Sequence, residues 1–245
     1  GAGDTLIAVD DPESPFLDRP ARTEPGDEVP SVEAVLLEPR YPQDLPALLK
    51  EALSGKKASS EEMIVLSVGT VASVYDAVAL NRPQIERYIT VTGDAVKTPG
   101  ILRARIGTSI GELLEECGGF SSAPECIVLN GPFRGSAVAD LDFPILKTTK
   151  SVVALTSAET HRHRTTACLR CGRCIRSCPM RLDSSRLFKC IVRRQVAEAL
   201  SKGLGDCTEC GSCAYLCPAR LPLVQAFSLA RKGAFKAGAA GGKTA

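Results

Sequence analysis

Short apolar runs separated by Pro- and Gly-rich segments fill the first third of the chain and predict alternating strands and helices. The apolar runs predict strands over Thr5–Val9, Val32–Leu37 and Met63–Val68. Helical spacing of apolar positions predicts helices over Pro46–Ser54 and Thr70–Leu80. Such alternation is typical of an α/β segment.

From Tyr88 onward the pattern favours strands. The segments YITVTGDAV and GILRARI flank a turn at Lys97–Gly100, and Ser109 forms a capping box with Glu112 ahead of the helix IGELLEEC. The strand CIVLNG and one or two short strands within 142–153 follow. Two strands, a helix across them and further strands are the order of a β-grasp fold.

The last third has apolar residues at helical spacing. After a polar connector over 156–167, one long spacer helix is predicted from Leu187, Ile191, Val192, Val196 and Leu200. Cys190 lies beside this apolar stripe and is predicted to be a core residue. A second helix is predicted from Pro222 to about Lys236, followed by a small, Gly-rich tail that is expected to be disordered.

Composition narrows the classes of function. Hydrophobic residues make up 44% of the chain, enough for a buried core. Aromatic residues make up 4% and the net charge is +2, so no nucleic-acid partner is expected. No apolar run reaches transmembrane length, so we expect membrane association through partners and no direct membrane span.

Two cysteine runs hold the chemistry of the chain. Run 1 is CLRCGRCIRSCP (Cys168–Pro179) and run 2, 39 residues further along, is CTECGSCAYLCP (Cys207–Pro218). Each reads C-x2-C-x2-C-x3-C-P, the spacing by which bacterial ferredoxins hold 4Fe-4S clusters. Three cysteines spaced three apart let one short loop reach three corners of a cubane. Gly172 and Gly211 stand at the same place in each run, where backbone must pass close to the cofactor.

The runs predict two 4Fe-4S clusters, because the fourth cysteine of each run ligates the other cluster in two-cluster proteins. The predicted ligands of the first cluster, site 1, are Cys168, Cys171, Cys174 and Cys217. The predicted ligands of the second cluster, site 2, are Cys207, Cys210, Cys213 and Cys178.

Other interpretations of these residues are weaker. Zinc sites favour paired C-x2-C knuckles with four ligands per ion, and disulfide frameworks belong to oxidising compartments. His161 and His163 precede run 1, but cysteines already fill all eight cubane positions, so a solvated linker is predicted there. Cys117 and Cys126 lie outside any ligand spacing and are predicted to be small buried hydrophobes.

Positive charge is concentrated around run 1. Residues 162–194 contain ten Lys and Arg residues and one acidic residue, Asp183. Cations near a thiolate-ligated cubane stabilise its negative charge, and such a surface also suits an acidic redox partner. Both of these roles rank above nucleic-acid binding.

Residues 60–236 closely resemble the C subunit of Rnf-type electron-transport complexes. The resemblance rests on the words VTGDAV-x-x-PG, LNGP-x-x-G, CLRCGRCIRSCPM and CTECGSCAYLCPARLPLVQ, which occur in the order of that family. It implies a soluble-ligand-binding β-grasp module and a helical ferredoxin-like domain with two 4Fe-4S clusters. It also implies a peripheral, cytoplasmic subunit on the inner face of the bacterial cell membrane. There the complex exchanges electrons between NADH and ferredoxin, coupled to ion transport.

The resemblance also implies partners and further cofactors. The partners are other subunits of the membrane complex and a ferredoxin or flavin-containing redox protein. MIVLSVGTVASVYDAV resembles the end of the flavin-binding domain shared with the NADH-oxidising subunit of respiratory complex I. FMN and NADH are expected only if an upstream domain is present, because no Gly-rich flavin segment occurs here. Ser67 stands where the family usually has Asn.

The predicted fold is α+β. Its expected parts are a truncated α/β flavin/NADH-binding-type domain (1–86), a β-grasp domain (87–155), a two-cluster ferredoxin-like domain (156–236) and a tail (237–245). The predicted function is an electron relay; with no nucleophile or general acid, the polypeptide alone is not expected to be a catalyst. Two alternatives stay open: a cobalamin reductase of a bacterial microcompartment, and an interaction module whose β-grasp binds a soluble ligand.

Overall fold

The computed structural model of the protein describes residues 5–9, 13, 32–54, 63–160 and 164–241. The chain divides into two compact units, residues 1–65 and 66–245. In the first unit, β1 (Thr5–Val9) pairs in parallel with β2 (Val32–Leu36), and α1 (Pro46–Ser54) follows. These elements confirm the predicted strands and helix, with β2 ending one residue early.

The second unit opens with α2 (Val68–Ala79), which confirms the second predicted helix. The strand predicted over Met63–Val68 is wrong, because residues 63–67 have no regular structure. Ser67 caps α2, and its hydroxyl oxygen accepts a hydrogen bond from the Thr70 amide at 3.3 Å. Ser and Asn are both good N-cap residues, so either one could cap α2 at this position.

One mixed sheet of five strands forms the β-grasp segment, in the order β4-β3-β7-β5-β6. The strands are β3 (Glu86–Thr92), β4 (Gly100–Arg105), β5 (Cys126–Leu129), β6 (Ser136–Val138) and β7 (Ser151–Leu155). β3 runs antiparallel to β4 and parallel to β7, and β5 runs antiparallel to both β6 and β7. β7 is one of the strands predicted within 142–153, whereas β6 has no predicted counterpart.

Helix α3 (Ile110–Glu116) begins with the predicted capping box of Ser109 and Glu112 and closes the core of the sheet. Ile89 and Val91 alternate with exposed neighbours along β3, as a strand with one buried face requires. They share a core with Ile110 of α3. Cys117 is also buried there, as predicted.

The segment after β7 is helical. It contains α4 (Ser157–Thr160), α5 (Arg173–Arg176), α6 (Ser184–Val192), α7 (Val196–Ser201), a 3-10 turn at Leu204–Asp206, α8 (Ser212–Tyr215) and α9 (Leu223–Gly241). No helix among the described residues is long and apolar enough to cross a bilayer. The mixture of sheet and helices is the predicted α+β class.

Three details of this segment and its neighbours differ from the predictions. The single spacer helix is wrong, because α6 and α7 are separated at Arg194, whose φ of 61° lies in the left-handed region. α9 extends to Gly241, past the expected end and into the predicted tail. Cys126 is half-buried at the start of β5, so the prediction of a fully buried side chain is wrong there. Cys190, in contrast, is buried in the helical core as predicted.

Candidate metal centres

The two cysteine runs have the same backbone conformation. At positions 39 residues apart, three pairs of left-handed φ values recur: Arg170 and Glu209 (both 55°), Gly172 and Gly211 (71° and 88°), and Arg181 and Arg220 (56° and 53°). Helices α5 and α8 also occupy equivalent positions. Left-handed residues other than Gly are uncommon, so this recurrence indicates a duplicated loop.

The four predicted ligands of site 1 line one cavity of about 180 Å³, with Cys217 of run 2 joining the three cysteines of run 1. Burial raises the pKa of the Cys174 thiol, and the neighbouring thiols of the other three residues raise it further. Cys168 and Cys171 are exposed, whereas Cys217 is buried.

Site 2 is the tighter of the two. Its four predicted ligands line a cavity of about 10 Å³, and Cys178 of run 1 lies there with the three cysteines of run 2. Burial raises the pKa of Cys213 to about 12, with Cys207, Cys210 and Cys178 adding to the shift. Cys210 and Cys213 are buried. The structure therefore brings together the eight cysteines in the two sets expected from the sequence.

Sets of four thiols are the donor type by which proteins hold iron–sulfur clusters. Among the described residues, no group of three or more His, Cys, Asp or Glu side chains is arranged to hold one metal ion. A cubane needs wider spacing, because each thiolate binds a different iron. The Leu182 amide donates a hydrogen bond to Cys178 Sγ at 3.4 Å, and such bonds tune a bound cluster. His161 and His163 lie outside the described residues.

A loop of the β-grasp sheet covers run 2. A Cβ added at Gly211 would lie 2.7 Å from the carbonyl oxygen of Phe133, so only glycine fits beneath this loop. The Phe133 ring also meets the Tyr215 ring edge to face, with centroids 4.9 Å apart. At Gly172, in contrast, an added Cβ would meet only a side-chain nitrogen of Arg176, at 3.4 Å. The sheet therefore shields run 2 at a place where run 1 is open.

The motif LNGP-x-x-G gives this loop its shape. Asn130 and Gly131 have φ values of 64° and 86°, and the Asn130 side-chain oxygen accepts a hydrogen bond from the Lys150 amide at 2.7 Å. A Cβ added at Gly135 would lie 1.9 Å from the Leu129 carbonyl oxygen, which excludes any other residue. The motif is visible in the sequence, but its contact with run 2 is not.

The motif VTGDAV anchors the connection toward run 1. A Cβ added at Gly93 would lie 2.0 Å from the Ala154 carbonyl oxygen, so β3 and β7 approach too closely for a side chain. Asp94 accepts hydrogen bonds from the Thr156 amide at 2.8 Å and from the Thr156 hydroxyl. These bonds lower the pKa of Asp94, and hydrogen bonding to Asp94 raises the pKa of Glu159 on α4.

Two family models match the second unit, one in its sheet segment and one in its helical segment. Residues 88–132 match the SLBB domain and residues 161–218 match the 4Fe-4S dicluster domain. The chain is 37% identical over 198 residues to the C subunit of the ion-translocating oxidoreductase complex of Rhodobacter capsulatus, which is 78% of this chain and 38% of the relative. The chain is a relative of such C subunits.

Two further relatives agree with this assignment. The C subunit of the proton-translocating ferredoxin:NAD(+) oxidoreductase complex of Clostridium ljungdahlii is 37% identical over 162 residues, 64% of this chain and 35% of the relative. The C subunit of the Na(+)-translocating ferredoxin:NAD(+) oxidoreductase complex of Acetobacterium woodii is 32% identical over 158 residues, 62% and 36% respectively. The resemblance seen in the sequence is confirmed, and this chain spans little more than a third of the length of these relatives.

Proposed function

We propose that this chain is an iron–sulfur electron-relay subunit of a membrane-associated NADH:ferredoxin-type oxidoreductase complex coupled to ion transport. The observation that carries the proposal is the duplicated loop with two crossed sets of four thiols. The match to the 4Fe-4S dicluster domain and the names of the relatives support it. When bound, 4Fe-4S clusters supply one-electron transfer, while the protein sets their position and potential.

In this proposal the cysteines of site 1 and site 2 each hold one cluster. Helical packing fixes their spacing, since Cys213 and Cys217 belong to the same buried core as Leu187, Leu223 and Phe227. The Leu182 amide stabilises the Cys178 thiolate, and the Phe133 loop packs closely over run 2 at Gly211. The polypeptide supplies ligands, hydrogen bonds and shielding, and no acid–base chemistry is assigned to it.

Domains, partners and location complete the proposal. Residues 1–86 are assigned to an α/β domain of the flavin/NADH-binding type, with FMN and NADH bound only where an upstream domain is present. The exposed apolar side chains of α2, among them Val71, Val74 and Tyr75, support packing against another domain. The partners are other subunits of the complex and a ferredoxin or flavin-containing protein, at the inner face of the cell membrane.

Anaerobic reconstitution tests the function directly. We expect about eight iron atoms per chain, four for each cubane, and an EPR spectrum of two interacting spin-half centres after reduction. Cys190→Ala is a matched control, because this cysteine lies in the same core but in neither site; it should keep both centres. Stoichiometric zinc, or a single centre in the wild-type protein, contradicts the proposal.

A further inference from the structure

We propose that run 1 presents a docking surface for an acidic one-electron carrier protein. This run 1 face consists of six residues around site 1: Leu169, Arg170, Arg173, Ile175, Arg176 and Lys189. The inference rests on the proposed function, because a carrier exchanges electrons at this face only if site 1 holds a cluster.

Site 1 is more accessible from solvent than site 2. Cys168 and Cys171 of site 1 are exposed, whereas no predicted ligand of site 2 is exposed. Electron tunnelling weakens steeply with distance, so a carrier must approach a cluster closely. Of the two sites, site 1 offers the shorter path to a protein that docks from solvent.

The centre of the run 1 face is apolar. Leu169 is 65% exposed and Ile175 is 39% exposed, and both line the cavity of site 1. Interfaces commonly combine an apolar centre with a polar rim, and electron-transfer encounters use small areas of this kind. Two aliphatic side chains beside exposed thiols therefore fit a transient contact.

The rim of the run 1 face is basic. Arg170, Arg173, Arg176 and Lys189 are exposed, and none of them forms an ion pair within the described residues. Across 164–194 the single acidic residue is Asp183, whose carboxylate caps α6 by accepting a hydrogen bond from the Arg186 amide at 2.9 Å. Four available cations around one apolar centre are complementary to a carrier with an acidic surface.

Charge compensation for a bound cluster does not account for these cations. Compensation matters most where burial lowers the dielectric, which is at site 2. There, however, the equivalents of Arg170, Arg173 and Arg176 are Glu209, Ser212 and Tyr215. One cation beside run 2, Arg231, is paired with Glu209 at 3.1 Å. The unpaired cations at positions 170, 173 and 176 therefore accompany the open site 1, and their equivalents beside the more buried site 2 are not cations.

Charge reversal tests the run 1 face. The test variant is Arg173→Glu/Arg176→Glu/Lys189→Glu. The control is Lys97→Glu/Lys147→Glu/Lys150→Glu, which makes the same charge change at exposed lysines of the β-grasp segment. The probe is a small acidic 4Fe-4S ferredoxin, immobilised for binding measurements and photoreduced for stopped-flow measurements on the reconstituted full chain.

At about 0.01 M salt we expect the test variant to lose about tenfold or more in both binding and second-order electron-transfer rate, and the control to stay within about twofold. Raising the salt to about 1 M shortens the Debye length from about 30 Å to about 3 Å and should remove the difference. Equal losses in both variants, or wild-type binding that does not weaken with salt, would overturn the inference.

Three further outcomes distinguish carrier docking from membrane binding and from a failure of the relay itself. Wild-type binding to anionic phosphatidylserine vesicles that the test variant loses, with ferredoxin binding unchanged, assigns the face to a membrane and overturns the carrier. The test variant could form both EPR centres on photoreduction with deazaflavin and also bind ferredoxin as tightly as the wild type. In that case the docking inference fails, while the relay function stands. If the wild-type protein forms no clusters, the relay function fails first.

Discussion

Run 1 and run 2 share their cysteine spacing and their left-handed backbone positions, yet their surroundings differ. Three basic residues of run 1 correspond to an acid, a small polar residue and an aromatic residue in run 2: Arg170 to Glu209, Arg173 to Ser212 and Arg176 to Tyr215. Both Arg176 and Tyr215 are exposed, but Tyr215 contacts Phe133 of the β-grasp segment.

The difference shows how a duplicated cofactor loop becomes specialised. Both copies keep the cysteine spacing and the left-handed positions. The residues between the cysteines differ between the copies, and they determine what the outer surface contacts. In run 2, Tyr215 contacts Phe133 of the sheet and Glu209 forms an ion pair with Arg231. In run 1 the residues between the cysteines leave charge and apolar surface available.

The largest test concerns the crossing of the two runs. Cys178→Ser should remove the site 2 cluster although Cys178 lies in run 1, because its thiol lines the site 2 cavity. We expect the iron content to fall by about half, with the remaining EPR spectrum matching that of Cys210→Ser. A spectrum that matches Cys171→Ser instead would show that each run holds its own cluster.

The next test compares the equivalent glycines. Gly172→Ala places a Cβ in the left-handed region, which costs about 1–2 kcal/mol, but meets only the flexible Arg176 side chain. Gly211→Ala adds a clash with the Phe133 backbone, and overpacking of this kind costs about 1–3 kcal/mol more. At one heating rate, the apparent Tm should fall more for Gly211→Ala. Equal shifts would mean that the loop does not constrain run 2.

A smaller effect is expected from Phe133→Ala, which removes the edge-to-face contact with Tyr215, worth about 0.5–1.5 kcal/mol. The shield over run 2 should loosen, so an iron chelator should strip site 2 faster while site 1 is unaffected. Phe143→Ala is the control, since Phe143 is 39% exposed against 38% for Phe133. If both variants lose iron at the wild-type rate, Phe133 does not protect site 2.

The sequence was most informative where spacing alone defines the chemistry. The repeated cysteine spacing predicts both the duplication and the sets of four residues that the structure brings together, although their role as ligands stays a prediction. The capping box at Ser109 was equally readable, because both of its hydrogen bonds lie within one turn. In each case a local pattern has one structural solution.

What the sequence did not reveal depends on contacts between distant segments. The close contact of Phe133 with Gly211 joins a sheet loop to a cysteine run. Neither sequence motif predicts that it contacts the other. The break between α6 and α7 depends on a left-handed arginine, which no propensity favours. The apolar run at Ile64 resembled a strand because a short run has no distinguishing period.

The smallest predicted effect concerns the connection from the sheet toward run 1, where Asp94 holds Thr156 and Glu159. Glu159 has a raised pKa because its carboxyl donates a hydrogen bond to Asp94. The bond therefore contributes stability below the ordinary Glu pKa of 4.5 and loses it as the pH rises through the raised value. In a carbon-13 NMR titration, Asp94→Asn should return the Glu159 pKa toward 4.5.

Glu112→Gln provides the matched control, because Glu112 makes its own local cap bond to the Ser109 amide at 3.3 Å, apart from Asp94. This variant should leave the Glu159 titration unchanged. Asp94 binds Thr156 on the sheet side of the connection, whereas run 2 packs against Phe133. A chelator should therefore remove iron from site 2 of Asp94→Asn at the wild-type rate. Faster loss of iron from site 2 in Asp94→Asn would mean that the two runs are held by one shared contact and not by two separate ones.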